Sequence, residues 1–175
     1  MPKKPETAFS ADRPFSFDEK DLAILHLLQE NSRITVKEIA QRIHLSTTPV
    51  HDRIKRLESE GIIKQYTTLL DPAKLKLGLT AICYVSLKEH SKAAGSRFIR
   101  TILAMPEVLE CYNISGEFDF MLKVVTEDMN AYHQFHVNRL SSVENIAHVQ
   151  SIFVIGVIKQ THHLLPATRR QSEKM

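Results

Sequence analysis

The chain has 175 residues, 43% of them hydrophobic, with a net charge of +3 and a pI near 8.9. Apolar content on this scale supplies cores for one or two small domains, and the mild basic excess is compatible with nucleic-acid binding without establishing it. No apolar run is long enough to span a bilayer, and the first residues lack the apolar core of a signal peptide. A soluble, cytoplasmic protein is therefore expected. Its two cysteines, Cys83 and Cys111, lie in strand-like runs and read as small buried apolar residues, not as a disulfide or a metal site.

Residues 1–14 are polar, with three prolines and Lys3, Lys4 and Arg13. They are expected to form a mobile tail. A first helix should open at Asp18, with Glu19 and Asp21 near the positive end of its dipole. Leu22, Leu25 and Leu28 make its apolar stripe, and Asn31 and Ser32 end it.

Thr35 to Gly61 reads as two helices joined by a tight turn. Thr35 and Glu38 match a capping box. Ile39, Ala40 and Ile43 form a stripe, His44 and Leu45 make the turn, and Ser46 is a suitable N-cap for the second helix. There Val50, Ile54 and Leu57 share the inward face. Thr47, Thr48, His51, Asp52 and Lys55 fall opposite, with Arg53 and Arg56 on the flanks. Small hydroxyls and an imidazole in the first turns suit base edges, while Lys and Arg suit phosphates. Gly61 is placed to close this helix. Ile62 to Leu70 is expected to be a short hairpin, a wing, from which Lys64 reaches the DNA backbone. The DNA-binding domain then covers 15–70, and a linker covers 71–78.

The second half changes period. Alternation from Leu79 to Lys88 predicts a strand. Ser91 to Met105 predicts a helix with Phe98, Ile99, Ile102 and Leu103 inward. Glu107 to Ile114 and Phe118 to Thr126 predict strands around a Ser115–Gly116–Glu117 turn. Asp128 to Leu140 predicts a helix with Ala131, Phe135 and Leu140 inward, and Ala147 to Lys159 a last strand. The order βαββαβ is ferredoxin-like, an α+β fold with two helices on one face of a four-stranded antiparallel sheet. The other face, with Ile82, Tyr84, Phe153 and Ile155, is expected to be partly apolar and to pair with a second copy. This domain spans 79–161, and 162–175 is expected to be a frayed tail. Five glycines form no phosphate-binding loop. His133 and His136 lack the further ligands a metal site needs, so no metal or other cofactor is expected.

With both halves read, the chain resembles the Lrp/AsnC family of transcription regulators from about Phe17 to Pro166. The resemblance rests on DEKDLAILHLLQENSRITVKEIAQRIHLSTTPVHDRIKRLESEGIIKQY, on SGEFDFMLKV at Ser115–Val124, on Asp128–Met129–Asn130–Ala131–Tyr132 and on Ile158–Lys159–Gln160–Thr161. Thr47 and Val50 stand where the family commonly has a second proline and a cysteine. The resemblance implies a non-enzymatic regulator that binds pseudo-palindromic double-stranded DNA as a homodimer, often assembled into an octamer of four dimers. It also implies an amino-acid effector bound near the turn before the third strand, with contributions from a neighbouring subunit. Matching positions are Gly116, Glu117, Phe118, Asp119, Met129, Ile152, Phe153 and Val154. Asp119 suits an effector ammonium, but it suits equally a role capping the turn. Two other readings are a sirohaem decarboxylase, some of which resemble this family in fold, and an amino-acid sensor without operator specificity.

Overall fold

The computed structural model describes residues 15–164, which form two units: 15–68 together with 161–164, and 69–160. The expected tail at 1–14, including Lys3 and Lys4, and the last residues of the expected C-terminal tail lie outside the described residues.

The first unit holds three helices: α1 (Glu19–Glu30), α2 (Val36–Ile43) and α3 (Thr47–Ser59). Each start has a local cause. Asp18 accepts from the Asp21 amide while Asp21 accepts from the Asp18 amide, and Thr35 and Glu38 form the same reciprocal box. Ser46 occupies the N-cap of α3 but makes no side-chain cap hydrogen bond. His44 turns the chain between α2 and α3 in the left-handed region, with φ 54°. At the end of α3, Gly61 (φ 69°) donates to Glu58 O and Ile62 donates to Leu57 O, each at 3.0 Å. This is a Schellman closure, which satisfies carbonyls that the helix end leaves open.

Ile24, Ile39, Ala40, Ile43, Val50, Ile54 and Leu57 make the core of this unit. In α1 the buried centre is Ile24 and Asp21, while Leu25 and Leu28 pack at its margin. The stripe expected on Leu22, Leu25 and Leu28 is therefore rotated towards Ile24. The expected wing hairpin is absent. Residues 64–70 pair with no strand, and the Ile62 and Ile63 amides turn back to Leu57 O. The stretch also lacks a glycine, proline, asparagine or aspartate to turn a hairpin between Ile62 and Leu70. The C-terminal segment is not simply frayed at 162–164. The Gln29 side-chain amide donates to Leu164 O (3.0 Å) and accepts from Leu164 N (2.6 Å).

The second unit is built on β1 (Leu79–Leu87), α4 (Lys92–Leu103), β2 (Val108–Asn113), β3 (Phe120–Thr126), α5 (Met129–Phe135) and β4 (Ile146–Phe153). After α5 the helix widens into one π turn over His136–Leu140, with Ser141 N bonded to His136 O. The sheet order is β2-β3-β1-β4, all neighbours antiparallel, which is the ferredoxin-like arrangement. Alternation in β1 is exact from Ala81 to Leu87: Ala81, Cys83, Val85 and Leu87 are buried beneath the helices.

Phe98 and Ile102 are buried as expected, but Ile99 and Leu103 are exposed. The buried face of α4 runs through Ala94, Phe98 and Ile102, a spacing of four, which leaves their successors about 100° away. In α5 and the π turn after it the inward residues are Tyr132, Phe135 and Leu140, with Ala131 half-buried. The Tyr132 hydroxyl bonds Ser151 Oγ and lies 3.2 Å from Cys83 Sγ, and those two residues face each other across β1 and β4. Burial pushes the tyrosine well above its ordinary pKa and raises that of the thiol, so this network is neutral.

Phe153 does not face outward. It lies opposite Ala81 and meets the Tyr132 ring edge-on at 5.0 Å, so it belongs to the core. The outward neighbour is Ile152, opposite Ile82. β4 ends at Phe153, short of the expected Lys159, because β1 runs out beside it: Val154 N bonds Thr80 O, and only Leu79 of β1 lies further along.

Gly61→Ala should cost about 1 kcal/mol in chemical denaturation, because open space surrounds the position and the penalty is purely the left-handed backbone. Acid should also weaken the first unit. The Asp18 carboxyl is held below its usual 3.8 by the Asp21 amide and by Arg53. The depressed folded-state value means this contribution is full above the unfolded pKa near 4 and is lost as pH falls below it. A midpoint followed by circular dichroism from pH 6 to pH 2 checks this, with Asp18→Asn showing a smaller loss.

Candidate functional site

Helix α3 presents two distinct sides. Val50, Ile54 and Leu57 are buried, whereas Thr47, Thr48, His51, Asp52 and Lys55 are all exposed. The structure therefore brings together the five outward residues expected from the sequence. Thr47 and Thr48 occupy the first turn, where short side chains let a helix approach a groove closely. His51 Nδ1 lies 3.5 Å from Asp52 Oδ1. Lys55 Nζ bonds Glu58 Oε2 at 2.9 Å, and Tyr66 donates to the other Glu58 oxygen at 3.0 Å. These two bonds hold Glu58 below the usual carboxylate range. Partial burial and the same contact push Tyr66 up to about 12. Lys64 is exposed on the segment after α3.

Arg53 and Arg56 are placed differently. Both guanidiniums bind Asp21, which is fully buried. Arg53 Nη1 lies 2.7 Å from Asp21 Oδ1 and 2.6 Å from Asp18 Oδ2, and Arg56 Nη2 lies 2.6 Å from Asp21 Oδ2. Arg56 also stacks over the Phe15 ring at 5.0 Å. The Asp21 and Asp18 bonds raise the Arg53 pKa further, so its charge is permanent. Both arginines on the flank of α3 are thus held in ion pairs in the absence of DNA. The signal missed in the sequence was Asp21. As a helix-start carboxylate it already had a sufficient local role, and its pairing spans more than thirty residues.

In the second unit the Gly116–Asp119 turn joins β2 to β3, with Gly116 at φ 120°. Glu117 is exposed and its carbonyl accepts from Ser86 Oγ at 3.4 Å. Phe118 folds back on the open face of the sheet, its ring 5.4 Å from Tyr84 and 6.2 Å from His148. Asp119 is the anchor of the turn. Its amide bonds Val85 O, Oδ2 accepts from Leu87 N at 2.7 Å, and Oδ1 lies 3.1 Å from His90 Nδ1. Of the two roles open to Asp119, turn capping is the one seen here, and His90 was not singled out in the sequence.

The other four expected effector residues lie elsewhere. Met129 begins α5 just after β3 ends, and it is half-exposed. Ile152 is on the open face, Phe153 on the core face, and Val154 is bonded to Thr80. Asp119 meets β1 at Val85 and Val154 meets it at Thr80. Five residue steps along β1 separate those points, roughly 17 Å. A single chain therefore does not gather the eight residues into one pocket. Among the described residues no cluster of three His, Cys, Asp or Glu is disposed to hold a metal, and no helix is long and apolar enough to cross a membrane.

A helix-turn-helix with an open polar face, joined to a ferredoxin-like sheet domain, defines a DNA-binding regulator with a separate sensing domain. The comparisons agree. Residues 17–64 match the winged helix-turn-helix DNA-binding model, and residues 80–164 match the Lrp/AsnC ligand-binding domain. The DNA-binding transcriptional activator DecR of Escherichia coli K12 is 37% identical over 147 residues, covering 84% of this chain and 97% of that protein. The glutamate uptake regulatory protein of Zymomonas mobilis subsp. mobilis is 33% identical, covering 90% and 96%. The crystal structure of transcriptional regulator NMB0573 from Neisseria meningitidis in complex with L-Met superposes with a TM-score of 0.81 at 40% identity, covering 85% and 96%. The chain belongs to the Lrp/AsnC family of transcriptional regulators. It is a DNA-binding regulator with a small-ligand domain, in a family of regulators and not of enzymes.

The Asp119 geometry yields a stability prediction. Asp119→Ala leaves the Leu87 amide without its charged acceptor and should cost about 1.5–3 kcal/mol in urea unfolding. Asp119→Asn keeps an oxygen for that amide and should cost less.

Proposed function

We propose that this protein is a cytoplasmic, amino-acid-responsive regulator that binds double-stranded DNA as a homodimer. In this reading the DNA-binding domain is 15–70, the linker 71–78 and the ligand domain 79–161. Two copies of α3 enter successive major-groove half-sites. Thr47, Thr48 and His51 face base edges, and Lys55 and Lys64 face phosphates. The observation that carries this reading is the outward face of α3, where hydroxyl, imidazole and ammonium groups project from a helix whose opposite side is entirely core. Lys55 exchanges Glu58 for a phosphate when the helix docks, an exposed pair that is inexpensive to break.

The open face of the sheet supports pairing with a second copy. Ile82, Tyr84, Met121 and Ile152 lie together there by register, and Ile152 is half-exposed. The effector is an amino acid held at the Gly116–Asp119 turn. Its ammonium takes Asp119 Oδ1 in place of His90, and backbone amides near Gly116 receive its carboxylate. Met129 and Val154 lie at the opposite end of the sheet from that site within one chain. They reach it only from a neighbouring subunit, which supports assembly beyond the dimer, up to an octamer. The L-Met complex of a 40% identical regulator makes L-methionine the first effector to test.

Fluorescence anisotropy tests the reading. The probes are a duplex enriched by this protein from a random-sequence pool and a scrambled duplex of equal composition. Binding should favour the enriched duplex by 10³-fold or more, and one amino acid from a panel beginning with L-methionine should change it. Equal binding to both duplexes would refute operator recognition. Thr48→Ala should alter the enriched sequence more than it alters affinity for scrambled DNA.

A further inference from the structure

We propose that Asp21 is a specificity-determining positioning residue: it withholds two arginine charges of the recognition helix from DNA and thereby confines contact to the face that reads sequence. This rests on the assignment of α3 as the helix that enters the groove.

The observations converge on one carboxylate. Asp21 is fully buried at the start of α1, yet each of its oxygens binds a different arginine of α3, at 2.7 Å and 2.6 Å. Asp18 holds the second side of the Arg53 guanidinium. Two guanidiniums therefore meet two carboxylates, and the cluster is formally neutral. Arg53 and Arg56 stand one turn apart on the flank of the exposed face. Their side chains remain 27% and 47% accessible, so they are restrained and not sequestered.

An unrestrained arginine on that flank would bind any phosphate. Phosphate attraction is independent of sequence and strengthens non-specific and specific complexes alike. Two such contacts would also let the helix settle on the backbone in several registers. Pairing with Asp21 removes that option. It also ties the middle of α3 to the start of α1, which fixes how far Thr47, Thr48 and His51 project. The capping box contributes to the rigidity, because Asp21 accepts from the Asp18 amide while it binds the arginines. Lys55 and Lys64 have no such buried anchor and remain available to phosphates.

The test is the salt dependence of binding by full-length protein on the enriched and scrambled duplexes described above. Asp21→Asn keeps the side-chain shape and an oxygen for the cap while removing the charge. The slope of log K against log salt should steepen by about 0.9 for each guanidinium freed, and preference for the enriched duplex should fall by about tenfold or more, with scrambled DNA bound more tightly. A merely structural role lowers the folded fraction and weakens both duplexes in proportion, leaving slope and preference unchanged; that result would overturn the proposal. Should Asp21→Asn fail to fold, Arg56→Gln decides. Removing a charge that Asp21 already neutralises should leave the slope where it was, and a slope flatter by about 0.9 would place Arg56 on a phosphate and refute the idea. Loss of preference in the unsubstituted protein would count against the DNA-reading face itself, not against Asp21.

Discussion

A carboxylate buried among helices must be paired, because an ionised group taken out of water without a partner costs far more than a small domain can spare. Asp21 meets that requirement with two arginines from α3, and the architecture of the first unit follows from it. The apolar core of Ile24, Ile39, Val50, Ile54 and Leu57 brings the three helices together, but apolar contact is tolerant of small rotations. The ion-pair cluster is directional. It fixes the rotation of α3 about its own axis, and that rotation decides which residues face outward.

The second unit solves a different problem with the same economy of groups. Antiparallel alternation gives the sheet one dry face, covered by α4 and α5, and one face on which no helix of the unit packs. Within the dry face the polar atoms of Tyr132, Cys83 and Ser151 satisfy one another. This is the condition for burying hydroxyls without destabilising the fold. On the open face, Phe118 covers part of the apolar surface by stacking on Tyr84, while Ile82 and Ile152 stay side by side further along.

A regulator must connect ligand binding to DNA binding through states that the ligand distinguishes. The chain offers two covalent routes between its units: the segment after α3 that leads into β1, and the segment after β4 that returns to the first unit, where Gln29 holds the backbone of Leu164. The second route begins at Val154, bonded to the first residues of β1.

Much of this was legible in the residues alone. Among the described residues, periodicity marked the five α-helices and the four strands, and cap chemistry placed Asp18, Thr35 and Gly61 where they act, because those choices depend on neighbours within a turn or two. The outward face of α3 was legible for the same reason: a 3.6-residue period with three apolar residues on one side leaves the opposite side determined. Tertiary structure alone decided what depends on partners distant in sequence. The arginines of α3 bind a carboxylate two helices away. Phe153 turns inward because register sets it opposite Ala81, and β4 stops where β1 stops. The exact phase of α1, α4 and α5 also escaped the sequence, since several apolar residues competed for each face and only packing against the rest of the core selects among them.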